Sequence, residues 1–348
     1  MSRDAMLLAD ALRNPASTSG LDATGWTALI TLARAEQLIG TLAHRLKNES
    51  VPGKVSEILA DARLNAEYQG RSALWEAQCA ARALDDYMGK VVLLKGTAYA
   101  AAGLKASKGR HIGDLDIMVA KADLPQVEAL LIDKGGWEWV KEDAYDDAYY
   151  RDHMHELPPL IHKDRDRMID VHHTILPLTA KPSPDAAALL THARRLDDRE
   201  HGDDLYVLSP ADMLVHCAAH LIADGDLAGG LRNLWDFHCL LHQFFGGHIS
   251  ADLAKTAAHH QLGPELQRAA RLAHAFYGTD DPAIWKRMSI ADRLFRRRLT
   301  ARDEWGRPTR AMTRLAFYIR SHWLRMPPLM LGRHLWTKWR KGQAAKRR

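Results

Sequence analysis

The chain has 348 residues, 47% of them apolar and 26% charged, so it holds enough material for a substantial core and is not disordered throughout. No run approaches the roughly 18 uninterrupted apolar residues of a membrane span, and the N-terminal apolar run carries Asp4 and Asp10, unlike a signal peptide. Three scattered cysteines, Cys79, Cys217 and Cys239, exclude a disulfide framework and a cysteine-based zinc site, and point to a reduced, cytoplasmic setting. The net charge of +5 is uneven. Residues 286–348 hold 19 Lys and Arg against Asp292, Asp303 and Glu304, a net +16, so the preceding residues carry a net −11. A basic end on an acidic body implies an anionic partner for that end alone.

The first ninety residues are rich in Ala, Leu, Glu and Arg. Apolar residues recur at helical spacing over 25–48 and 56–88, which predicts two to four helices. Near residue 90 the pattern changes. VVLLKG (91–96) reads as a buried strand ending in glycine, and TAYAAAGLKAS (97–107) as helix-like. RHIGDLDIMVA (110–120) predicts a strand with acids at one end, and 121–137 a helix with Asp123 at its N-cap. Strand candidates follow at 137–140, 155–162 and 167–176, the last two joined by the charged turn KDRDR. After KPSPD (181–185) the helical pattern returns, with Ser209 and Pro210 placed to start a helix.

Asp114 and Asp116 alternate along a predicted strand, so both carboxylates point to one face. Two close carboxylates repel, and a divalent cation such as Mg²⁺ relieves the cost. Asp170, on another predicted strand, is placed to complete the cluster from a neighbouring strand. Solvated turn chemistry is the plain alternative for an Asp-x-Asp pair. Upstream, the strand that stops at Gly96 and opens into a helix allows close backbone approach to a phosphate.

These residues carry a resemblance. The run LLKGTAYAAAGL, RHIGDLDIMV and MIDVHH resembles the DNA-polymerase-β-like nucleotidyltransferase superfamily, and most closely a bacterial branch of uncharacterised nucleotidyltransferases. The flanking WTALITLARAEQLIGTLAHRL and LSPADMLVHCAAHL…LRNLWD agree with that branch, so the likeness spans about residues 25–245. It implies an α+β fold: a small mixed-sheet nucleotidyltransferase core at 89–180 between helical regions at 1–88 and 181–300, with a basic, Trp-containing segment at 301–348. It implies Asp114, Asp116 and Asp170 as catalytic metal ligands for Mg²⁺ or Mn²⁺, and a nucleotide held by Lys95, Gly96, Thr97, Arg110 and Gly113. The wider superfamily has Gly-Ser or Gly-Gly after its first strand, where this chain has Lys95-Gly96-Thr97; Lys95 would bring charge to the triphosphate.

The implied activity is metal-dependent transfer of a nucleotidyl group from an NTP, ATP among them, to a hydroxyl or phosphate acceptor. The alternative is a non-catalytic nucleotide-binding or regulatory relative. His172 shares a strand face with Asp170, where it contacts substrate, orients that carboxylate or simply packs in the core. His216 and His220, at i and i+4, read as core or site-lining residues rather than zinc ligands, and Arg232 with Asp236 as an ion pair or a second wall of the cleft. Trp323, Trp336 and Trp339 among basic residues read as a docked helix followed by a solubilising tail, or else suit an anionic membrane surface or nucleic acid, the apolar face being expected over about 329–341. This places the protein in the cytoplasm, with a peripheral membrane association as one option.

Overall fold

A computed structural model describes residues 4–140, 144–196, 204–278, 288–325 and 332. Helices Asp4–Arg13, Ala23–Ala35, Ile39–Arg45 and Gly53–Ala83 form the N-terminal region. Gln37, with φ +55, breaks what reads as one helical pattern over 25–48 into two helices. Leu29, Leu32, Leu38 and Leu42 are buried there, as their spacing predicts.

The sheet has seven strands: β1 (Val91–Leu93), β2 (Leu115–Met118), β3 (Trp137–Trp139), β4 (Leu160–His162), β5 (Met168–His172), β6 (Arg194–Arg195) and β7 (Leu205–Val207). Their order is β3-β4-β5-β2-β1-β7-β6. β1 runs antiparallel to β2 and parallel to β7, while β2 runs parallel to β5. β4 and β5 form the hairpin expected around KDRDR. Val92, Leu93, Ile117 and Met118 are fully buried, so the centre of the sheet is apolar on both faces. With helices on either side in sequence, the architecture is the α+β fold the chain resembles.

Two local expectations change. The sheet does not end at residue 180: Leu205–Val207 pairs with β1 in a stretch read as helical, because Leu205 and Val207 turn into the core. Asp123 does occupy the N-cap of the helix Leu124–Asp133, but its side chain makes no capping bond and its carboxylate accepts instead from the Tyr87 hydroxyl at 2.9 Å. Ser209 does cap helix Pro210–Ala219, accepting from the Asp212 N–H. That helix runs into a π-type turn, His220–Asp224, before helix Gly230–Phe245. Helices Ala251–His259, Gly263–Tyr277, Ile290–Leu299 and Ala311–Arg325 follow. The segment 329–341, where an apolar helix face was expected, lies outside the described residues apart from Gly332.

Candidate active site

Residues in register on neighbouring strands share a face of the sheet. Asp116 on β2 pairs with Asp170 on β5, so both carboxylates stand on one face. Asp114 lies one residue before β2, two from Asp116, and is more exposed. The three carboxylates interact electrostatically: burial first and Asp116 second raise the pKa of both Asp114 and Asp170, the latter to about 7. Among the described residues neither Asp114 nor Asp170 has a hydrogen-bond or ion-pair partner.

Asp116 is different. Burial opposes its charge, but Lys95 and His172 outweigh burial and hold it well below the usual carboxylate range. Lys95 Nζ lies 2.6 Å and His172 Nε2 3.0 Å from the same oxygen, Asp116 Oδ1. Lys95 opens helix Lys95–Ala101 with φ +48, a conformation most non-glycine residues avoid, and this turn delivers its ammonium to Asp116. Two acids without partners beside one neutralised by an ammonium make a set of hard oxygen donors, with Lys95 standing where positive charge is wanted. Oxygen donors of this kind suit a hard divalent cation, although as placed the three carboxylates do not all lie within 4.8 Å of one another.

The remaining sequence candidates take other places. Arg110 does not project into solvent: its Nε donates to Asp236 at 2.9 Å and its guanidinium lies over the Tyr99 ring at 5.7 Å. Asp236 also accepts from Arg232 at 3.2 Å, and Arg232 donates to the Gln37 carbonyl. Arg232 and Asp236 are therefore both an ion pair and the anchor that ties the loop before β2 to the N-terminal helices. Arg110 thereby acts as a positioning residue. The space a side chain at Gly96 would need is filled by Arg110, whose Nη1 would lie 2.0 Å from an added Cβ. Thr97 is buried and its hydroxyl has no hydrogen-bond partner among the described residues, while Gly113 is exposed beside Asp114 with open space around it. His172 is also buried, bonded to Asp116 rather than to Asp170. Burial lowers its pKa, against the opposing pull of Asp116.

Two residues join the site without a motif to announce them, and His216, already read as a core or site-lining residue, lies with them. Glu156, bridged to His172 just before β4, lies near Asp170; burial and then Asp170 raise its pKa to about 8. His155 stacks on His172 with ring centroids 5.2 Å apart. His216, from helix Pro210–Ala219, is buried and kept neutral by burial and by Lys95. Its neighbour His220 instead faces Asp224 at 3.3 Å, so the two histidines do not converge on a shared ligand. The signals were present in the sequence as His155-Glu156 in a strand candidate and the i, i+4 histidines.

A mixed sheet that gathers aspartates from two neighbouring parallel strands, enclosed by helices, defines an α+β protein of the nucleotidyltransferase type. The chain belongs to a family described as uncharacterised nucleotidyltransferase, which matches residues 22–278. No curated protein matches it.

Proposed function

We propose that the protein transfers a nucleotidyl group from an NTP, ATP included, to a hydroxyl or phosphate acceptor in a metal-dependent reaction. The observation that carries this reading is the register of Asp116 with Asp170, with Asp114 beside them, in a chain of this family. Asp114, Asp116 and Asp170 would hold Mg²⁺ or Mn²⁺, which when bound neutralises charge developing on the phosphoryl oxygens and aligns the attacking and leaving groups. Lys95 supplies further positive charge to the triphosphate, with Gly96, Thr97 and Gly113 on the nucleotide side and Arg110 holding that stretch in place. Asp170, with a pKa raised to about 7, is suited to take a proton from an incoming hydroxyl. A cytoplasmic setting is consistent with the three free cysteines and with the lack, among described residues, of a helix long and apolar enough to cross a membrane.

One observation favours the second reading, a non-catalytic nucleotide-binding relative: Lys95 already neutralises Asp116. Incubation with Mg²⁺ and each α-labelled NTP in cell extract separates the two. Label moving to a product, and lost in Asp114→Asn, supports transfer; NTP retained unchanged with no labelled product supports binding alone.

A further inference from the structure

Beside the three aspartates, His172 stands between two carboxylates. Its Nε2 is 3.0 Å from Asp116 Oδ1, and its Nδ1 is 3.4 Å from Glu156 Oε2. A neutral imidazole carries one N–H. The bond to Asp116 takes it, which leaves the Nδ1 lone pair facing a carboxylate oxygen. In the structure Nδ1 makes no hydrogen bond, although His172 is 99% buried in a packed interior, its relative exposure being 1%. A buried ring nitrogen 3.4 Å from a carboxyl oxygen is placed to share a cation with it, either a proton or a metal ion.

His155 adds a third donor. Its Nε2 lies 3.7 Å from the same Glu156 oxygen, and one donor atom each from His155, Glu156 and His172 lie within 4.8 Å of one another. Metal–ligand bonds of about 2.0–2.2 Å in a tetrahedral site put neighbouring donors roughly 3.3–3.6 Å apart. We infer that His155, Glu156 and His172 form a site for a borderline divalent cation of the Zn²⁺ class, separate from the aspartate oxygens. Two imidazoles and one carboxylate are a donor set that selects Zn²⁺ or Co²⁺ over Mg²⁺, and three protein ligands leave a fourth position open. The His172–Asp116 bond is the outer carboxylate contact that metal-binding histidines make. A cation here fixes the tautomer of His172 that donates to Asp116. The rival occupant is a proton shared between Glu156 and His172.

The test uses the full chain, stripped with chelator and titrated with Co²⁺ in excess Mg²⁺, with visible absorption as the readout. The expected result is one equivalent of Co²⁺ with the bands of nitrogen ligation. Affinity should fall at least about 100-fold in Glu156→Gln, which keeps volume and hydrogen-bonding reach, and in His155→Gln, with circular dichroism unchanged. Displacement of Co²⁺ by Mg²⁺, the absence of such bands, or unaltered affinity in a folded Glu156→Gln protein overturns the inference and leaves the proton. The readout does not involve nucleotidyl transfer, so its failure is distinguishable from failure of the proposed activity.

Discussion

Asp116 and Asp170 are register partners on adjacent parallel strands, yet they reach opposite electrostatic states. Lys95 and His172 hold Asp116 ionised against its burial, whereas Asp170 is buried beside that charge with no cation of its own, and its pKa rises to about 7. The asymmetry leaves Asp170, like the nearby Glu156, titrating close to neutral pH.

The stability of metal-free protein should therefore fall as pH rises. A carboxylate whose folded pKa exceeds its unfolded value stabilises fully below the unfolded value near 3.8, and that contribution is lost as pH passes through the folded value near 7. The loss attributable to Asp170 amounts to as much as about 4 kcal/mol. Melting in EDTA at pH 5 and pH 8 should show the drop, Asp170→Asn should reduce it and leave the part that belongs to Glu156, whose pKa is raised to about 8, and Mg²⁺ should restore stability mainly at pH 8. A drop of equal size in Asp170→Asn would assign it to other groups.

The two strand-end aspartates should separate in their effects on stability. From the sequence, removing either carboxylate is expected to abolish turnover and to raise the melting temperature by relieving repulsion. The structure divides them. Asp114→Asn removes an unpartnered charge, so melting should be unchanged or higher. Asp116→Asn keeps an acceptor for His172 but removes the counter-charge of the Lys95 ammonium, and should destabilise by about 3 kcal/mol. Both should abolish NTP turnover. Calorimetry of the two variants checks the split, and equal melting temperatures would contradict the Lys95–Asp116 ion pair.

Gly96 and Gly113 should also part company. A methyl group at Gly96 meets Arg110 at 2.0 Å and Ile112 at 3.2 Å, and Asp236 pins that guanidinium so it cannot yield freely. Gly96→Ala should cost about 1–3 kcal/mol and weaken nucleotide binding. Gly113→Ala meets nothing within 4 Å and should stay within about 0.5 kcal/mol of the parent. Denaturant unfolding of both variants measures the difference.

What could be read in the sequence was local. Alternation along a strand put Asp114 and Asp116 on one side, and the apolar flanks of Asp170 marked it as an acid on a strand. Glu156 escaped because it precedes Pro158-Pro159 and joins the sheet only through an isolated bridge to His172. Leu205–Val207 is too short to register as a strand against the helices around it, although its alternating burial was written in LYV. The tie of Arg110 to Asp236 spans 126 positions, and no periodicity carries information over that distance. The role of Gly96 changed for the same reason: its neighbour in space, Arg110, is not its neighbour in the chain.

The basic end offers a last test. Met312, Leu315, Ile319 and Trp323 recur along helix Ala311–Arg325 at spacings of three and four, and all are exposed, while Phe317 and Ser321 turn inward. Arg320 and Arg325 anchor the inner side on the carbonyls of Ile222 and Asp224. The packed neighbour, helix Ile290–Leu299, adds exposed Ile290 and Leu294 with exposed Arg293 and Arg297. Such an apolar stripe near exposed arginines would suit an anionic membrane surface, where apolar burial would add to attraction of about 1 kcal/mol per basic residue. The protein should sediment with vesicles containing phosphatidylglycerol and not with neutral ones, and the binding should outlast moderate salt. Ile319→Ser combined with Trp323→Ser should weaken it at least about tenfold. Retention on RNA with a steep salt dependence, and none on vesicles, would transfer the surface to nucleic acid; unaltered vesicle binding by the double variant would remove the stripe from any role in it.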